Sequence, residues 1–413
     1  MSHYKNNSLD MKHASFYINE LRKLKMKLVN DCKGILKRIN PLISVACAIF
    51  SLTFAALMSF DASAYTIGVV VGKNKSKTST SNQEKMCIFR TVASSVQMRH
   101  PDVKVMFVEN DRTVVGSALA AQKLIDNQVD LALLPLLSHE AEAAVELLMD
   151  ANIPYMTTAT ARRVIKPGSF GLSTMPSNME QAELLAKYYI KNHSGNKIYV
   201  VTDPGRPYSR SIADMFVRAV NELQPETEIL RRTYHPLRVQ TLATQIKEGE
   251  VVFAALYNPH IASLYLALAE NDSKPITILG PDSVGGRQEF FEIIGQSVNH
   301  VSLKFIKNWD RHLKGENQNE LSQIVDAECP NGKNTFLTTY SFDLINVAMA
   351  QIDKIKQTSS PAATIMHLKE SPFVTTMDGE RMHFSKDGYN QKNLYLYEVA
   401  GTKLQLIETL KHD

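Results

Sequence analysis

From Tyr65 onward the chain alternates short apolar, β-rich runs with amphipathic stretches. The runs YTIGVVVG, VKVMFVEN, DLALLPLL and IPYMTT predict strands, with helices expected between them near 82–99, 114–127 and 138–151. Such alternation predicts a parallel sheet with helices on both faces. The rhythm restarts after Asn178, with a helix near 179–192, the strand KIYVVTD, a helix near 209–222 and the strand TEILRRTY. It continues with a helix near 238–248, the strand VVFAALY, a helix near 260–270 and PITILG, so a second sheet is expected. The later chain turns to helices near 304–314 and 336–356, then to short strands ending in NLYLYEV and KLQLIE. Met175-Pro176-Ser177 and Pro281-Asp282 mark seams. About 350 residues are enough for two α/β lobes, each with its own core, and two lobes imply a cleft.

The pattern before Tyr65 is of another kind. Residues 42–60, LISVACAIFSLTFAALMSF, form 19 residues without a charge, preceded by Lys23, Lys25, Lys27, Lys33, Lys37 and Arg38. Ala62-Ser63-Ala64 then supplies the small-x-small pattern of a signal peptidase site, so an export signal cleaved after Ala64 is expected. The 41 residues ahead of the apolar stretch make a long leader, and 19 apolar residues also suffice to span a bilayer. Two alternatives therefore stay open: a retained N-terminal anchor, and translation starting at Met26.

Charge refines this division. The whole chain carries +4, whereas residues 1–64 hold nine basic and four acidic residues, leaving the remainder near −1. That balance lacks the strongly basic face that nucleic acid binding requires. Only Cys87 and Cys329 lie beyond the leader, and pairing or two free thiols are equally open. The polar stretch KNKSKTSTSNQEK at 73–85 reads as a loop on the strand-end side, either solvated or reaching the cleft.

Candidate chemistry gathers just beyond the apolar runs, where an open α/β sheet turns its strand ends toward a ligand crevice. Ser138, Thr160, Tyr208, Tyr257 and Asp282 each stand there. Hydroxyls and loop amides suit a carboxylate, an acid suits an ammonium, and rings wall the remainder, so the set suits a small zwitterion. The plain alternatives are an N-cap for Ser138, an Asx turn for Asp282 and buried packing for the tyrosines. No enzyme reading survives. Gly68–Lys73 has three residues between its glycines where a phosphate loop needs four, and Asn74 stands where that loop needs Ser or Thr. Ser138-His139-Glu140 points in different directions along a helix, and no His or Cys spacing suits a metal. No catalytic residue, cofactor or metal site is assigned. A helix-turn-helix before residue 65 is replaced by the apolar segment, which argues against a repressor.

With these residues in place, the chain resembles the type I periplasmic solute-binding proteins, specifically the branched-chain amino acid (Leu/Ile/Val) binding family of ABC importers. The likeness covers 65–413 and is carried by PLLSHEAEAAVELLMDANIPYMTTATARRV, STMPSNMEQAELLAKYYI, VTDPGRPYSRSIADMF, ILGPDSVGG and GERMHFSKDGYNQKNLYLYEV. The resemblance implies two doubly wound, Rossmann-like lobes joined by three crossover strands near 175–178, 299–303 and 389–393. Lobe 1 would then comprise 65–177 plus 301–391, and lobe 2 178–300 plus 392–413, with 1–64 as leader.

The resemblance also implies roles. The ligand carboxylate would meet Ser138 and the loop Ala159-Thr160, and the ammonium Asp282, where the family more often has Glu. Tyr208 and Tyr257 match the family's cleft tyrosines. The loop MTTATARRV is one residue short of the simplest alignment, so the threonine role falls to Thr158 or Thr160. Arg162 and Arg163 stand where uncharged residues are usual, and Arg206 and Arg210 flank Tyr208, which leaves open solvated charge or a ligand with an extra anionic group. The implied partners are a small-molecule ligand and an inner-membrane permease, in the periplasm. The alternative is a tethered sensory or envelope-scaffold module that uses the same fold to bind a protein.

Overall fold

The strand Tyr65–Gly72 (β1) sends Ile67, Val69 and Val71 into one core and Val70 into another, the two-residue period that puts one apolar set on each face of a sheet. Gly68 is a packing residue: a Cβ there would sit 2.5 Å from Leu124 Cδ2, so the glycine lets a neighbouring helix close on the sheet. The computed structural model describes residues 64–73, 81–193, 197–247, 249–270, 275–284, 288–307, 318–329, 336–376 and 379–411. The leader, the segment 42–60 and the Met26 start lie outside the described residues. Ala64–Asp413 form one compact unit.

The first lobe is built on β1 and four further parallel strands: β2 (Val103–Asn110), β3 (Leu131–Leu134), β4 (Tyr155–Thr157) and β5 (Gly171–Ser173). Their order is β2-β1-β3-β4-β5. One face packs on α1 (Ser81–Arg99), the other on α2 (Val114–Asp126) and α3 (Ser138–Asp150). Helix α1 begins at Ser81, so the loop expected at 73–85 is shorter, and its residues 74–80 lie outside the described set.

The second lobe follows with α4 (Asn178–Asn192), β6 (Lys197–Thr202), α5 (Pro207–Leu223) and β7 (Glu228–Thr233). After these come α6 (Val239–Gln245), β8 (Val251–Ala255), α7 (His260–Glu270), β9 (Ile276–Gly280) and α8 (Gln288–Ile294). The strand β10 (Val301–Lys307) runs parallel to β9, while β11 (Leu394–Ala400) and β12 (Lys403–Leu410) close the sheet antiparallel, in the order β12-β11-β10-β9-β8-β6-β7. Separate helix-covered cores fill its two faces. The architecture is thus two doubly wound α/β lobes.

Two expectations are corrected by β10. A helix was expected near 304–314 and a crossing into lobe 1 near 299–303. Val301, Leu303 and Phe305 are instead buried at alternate positions, a strand pattern, and the segment is hydrogen-bonded into the second sheet. The second lobe therefore runs to Lys307, past the boundary expected at 300. The chain rejoins the first lobe at α9 (Gln318–Glu328), whose Leu321 and Val325 enter the core around β1, so that connection lies in 308–317, outside the described residues. Helices α10 (Phe336–Met349), α11 (Ile352–Ile355) and α12 (Pro361–Lys369) complete this side.

The described connections run side by side. Ser173 bridges Tyr389 in parallel: Ser173 N–H donates to Gly388 O (2.8 Å) and Asn390 N–H donates to Ser173 O (3.0 Å). The segment 174–177 leads into α4, and 390–393 leads into β11.

Packing of α9 and α10 on α1 brings Cys87 and Cys329 together as a disulfide with a Cα–Cα distance of 6.0 Å, across 242 residues of sequence. The link lies wholly within the first lobe's core region. Closing so long a loop restricts the unfolded chain, and Cys329→Ser is expected to cost about 2–5 kcal/mol. Denaturant unfolding of the oxidised wild type, the reduced wild type and the variant checks this; equal midpoints would remove the bond from the stabilising set.

Candidate functional site

Both halves of the candidate site stand at the C-terminal ends of parallel strands. In the first lobe β3 runs into Pro135-Leu136-Leu137 and then α3, whose first residue is Ser138. Leu137 is the N-cap residue, and its N–H donates to the buried Glu140 carboxylate (3.4 Å), which places the acid of Ser138-His139-Glu140 in a capping role. Ser138 is therefore not the cap. Its Oγ accepts from Ala161 N–H (3.3 Å), tying the helix start to the loop that follows β4.

That loop is fixed along its length. Thr157 Oγ1 donates to Leu134 O (2.8 Å) and accepts from Ala159 N–H (3.1 Å), and Ser173 Oγ donates to Ala159 O (2.8 Å). Tyr389 OH donates to Ala161 O (2.7 Å), and Asn178 N–H, from the start of α4, donates to Thr160 O (2.8 Å). Ala159 and Thr160 are buried while Thr158 is half-buried, and the Thr160 hydroxyl has no hydrogen-bond partner among the described residues. The loop thus keeps its shape on internal bonds and leaves the Thr160 hydroxyl uncommitted.

In the second lobe β6 ends near α5, which opens with Pro207-Tyr208, and β8 ends two residues before Tyr257. Asp282 begins a single 3-10 turn after β9 and Pro281. The structure brings these three together. Tyr208 OH donates to Asp282 Oδ1 (2.6 Å), and the Tyr208 and Tyr257 rings lie 5.0 Å apart at 45°. Burial first, and the Asp282 charge second, hold the Tyr208 phenol well above its ordinary value, so it stays a neutral donor. Ser283 Oγ donates to Leu256 O (2.9 Å), pinning the turn to the end of β8.

Sequence reasoning missed Gln181. Fully buried on α4, it donates through Nε2 to Asp282 Oδ2 (3.0 Å) and accepts through Oε1 from Asp282 N–H (3.4 Å). The available signal was a polar residue on the buried face of an amphipathic helix, which needs partners. Asn178 carried the same signal: it is fully buried, and neither atom of its side-chain amide has a partner among the described residues. Three of the flagged arginines are engaged: Arg162 with Asp387 (2.5 Å), Arg163 with Glu142 (2.7 Å), and Arg210 with Pro204 O. Helices α3 and α5 meet, and the Asn178–Thr160 bond joins the segment entering lobe 2 to the first-lobe loop.

One lobe thus presents a bonded loop and a helix start, the other an oriented acid beside the Tyr208–Tyr257 ring pair, and paired segments connect them. The family model described as periplasmic binding protein matches residues 99–403. The chain belongs to the periplasmic binding protein family. The Leu/Ile/Val-binding protein BraC3 of Rhizobium johnstonii is 24% identical over 295 residues, covering 70% of this chain and 78% of that protein. Among solved structures, the leucine-binding protein LivK of Thermotoga maritima MSB8 superposes with a TM-score of 0.69 at 16% identity, covering 84% of this chain and 98% of the other. A solute-binding protein of R. palustris in complex with 4-hydroxybenzoate gives 0.67 at 16% identity, covering 84% and 96%. This periplasmic binding protein shares the type I fold with both solved structures, whose named ligands differ from each other.

One titratable group sits at the crossing itself. Glu180, in the first turn of α4, is buried, and that burial raises its carboxyl from 4.5 to about 7 against the opposing pull of the Lys392 and Ser177 backbone N–H groups. Between about pH 4.5 and 7 the native state keeps a proton that the unfolded chain releases, so stability falls as pH rises through that window. Glu180→Gln is expected to flatten this dependence and to gain on the order of 2–3 kcal/mol at pH 8. Denaturant unfolding of both proteins from pH 4 to pH 8 checks it, and parallel pH profiles would remove Glu180 as the cause.

Proposed function

We propose that this periplasmic binding protein captures one small amino acid between its lobes, outside the inner membrane, and hands it to an ABC permease. The reading rests on one complementary arrangement: hydroxyls and loop amides at the strand ends of the first lobe, and an oriented carboxylate with two tyrosines at those of the second. Ser138, Ala159 and Thr160 would receive the ligand carboxylate, helped by the amides and positive dipole end of α3. Asp282 would receive the ammonium, with the Tyr208 oxygen beside it, and the Tyr257 ring would wall the remainder.

A ligand that touches both lobes binds the closed form better than the open one and shifts the population by that difference. Paired crossing segments at Ser173 and Tyr389 supply the hinge in this account. Export through the segment 42–60, with cleavage after Ala64, fits the Cys87–Cys329 bond, because disulfides persist in oxidising compartments. Among the described residues no helix is long and apolar enough to cross a membrane.

The R. palustris structure adds an aromatic acid as a competing ligand class. Such an acid lacks an ammonium and would leave Asp282 with its internal partners alone. Calorimetry with a panel of amino acids, plus 4-hydroxybenzoate, separates the two. An aliphatic amino acid is expected to bind, Asp282→Ala to weaken it about 10–100-fold through loss of a charge-assisted contact, and Ser138→Ala about 10-fold. Unaltered binding by Asp282→Ala, or binding of 4-hydroxybenzoate alone, would remove the ammonium assignment.

A further inference from the structure

Gln181 makes two contacts to a single residue, and they run in opposite directions. Its Nε2 donates to the Asp282 carboxylate while its Oε1 accepts from the Asp282 backbone N–H, so each end of the amide specifies the orientation of the other. A reversed amide would set oxygen against carboxylate and N–H against N–H. Tyr208 OH meets the other carboxylate oxygen, so the two oxygens have different donors from different helices, α4 and α5. With Gln181 fully buried and Tyr208 at 7% exposure, neither donor has room to swing away.

The position of Gln181 adds a mechanical link. It lies one helical turn beyond Asn178, whose N–H holds Thr160 O in the first-lobe loop. A short stretch of α4 therefore spans from the first-lobe loop to the second-lobe acid. The shorter reach of Asp compared with Glu makes this support matter, because a carboxylate one methylene closer to its backbone has few rotamers from which to meet a ligand.

We propose that Gln181 is a positioning residue that holds the Asp282 carboxylate in the orientation in which it meets a ligand ammonium; this rests on the reading of Asp282 given above. Gln181 acts through Asp282, so its loss falls on ligands that carry an ammonium and spares those that do not.

The test uses Gln181→Met, which keeps the side chain's length and removes both hydrogen bonds, with L-leucine and its desamino analogue 4-methylpentanoate as probes. Calorimetry is expected to show about 10-fold weaker leucine binding and 4-methylpentanoate binding within about 2-fold of wild type. Equal losses for both probes would mean Gln181 only packs, and no loss for either would mean Asp282 needs no support; each overturns the proposal. Should the wild type not bind leucine, the panel amino acid that does bind and its desamino analogue serve as probes; should none bind, the amino-acid reading fails by itself, and a ligand-free cycle decides the clamp. Thermal midpoints of Gln181→Met, Asp282→Ala and the double variant are expected to be sub-additive, because either single change breaks the Gln181 Nε2–Asp282 Oδ2 bond. Additive losses overturn the proposal.

Discussion

A half-buried carboxylate is costly unless donors replace the water it gives up, and that constraint organises the second lobe's half of the site. Asp282 meets it with the phenol of Tyr208 and the amide of Gln181, both uncharged. Uncharged donors such as these orient an acid without themselves cancelling its charge. A fixed acid also spares binding the cost of ordering a side chain, about 0.5–1.5 kcal/mol for each one immobilised.

The first lobe follows a different logic. Its loop from Thr157 to Ala161 is stitched by the Thr157 and Ser173 hydroxyls, by Tyr389 and by the Asn178 backbone, so the shape is held before any guest arrives. Ser138 and Ala161 share one bond, and an entering carboxylate would exchange that internal contact for its own. One half is thus built on neutral donors around a fixed negative charge, the other on backbone and hydroxyl groups suited to a negative charge brought by a guest.

In the proposed mechanism, motion between the halves would be confined by where covalent and hydrogen-bonded links run. Each lobe has its own cores on both sheet faces, so bending at the paired crossings need not disturb packing. The Cys87–Cys329 bond lies within the first lobe and does not tie it to the second. Glu180 and the Lys392 backbone bring a buried acid to the junction of the two crossings, where a change of protonation is felt by both.

Local signals in the sequence settled the alternation of strands and helices, because the period of apolar residues reports which faces are covered, whatever covers them. From that came the two sheets, the strand-end placement of Ser138, Thr160, Tyr208, Tyr257 and Asp282, and the apolar segment ahead of the fold. Only the tertiary structure decided which sheet claimed 301–307, since the pairing of β10 with β9 depends on register between distant segments. It also paired Cys87 with Cys329 through the packing of α9 and α10 on α1. The partners of Asp282 were illegible for the same reason: Gln181 lies 101 residues away, and a hydrogen bond between side chains leaves no periodic trace along a chain.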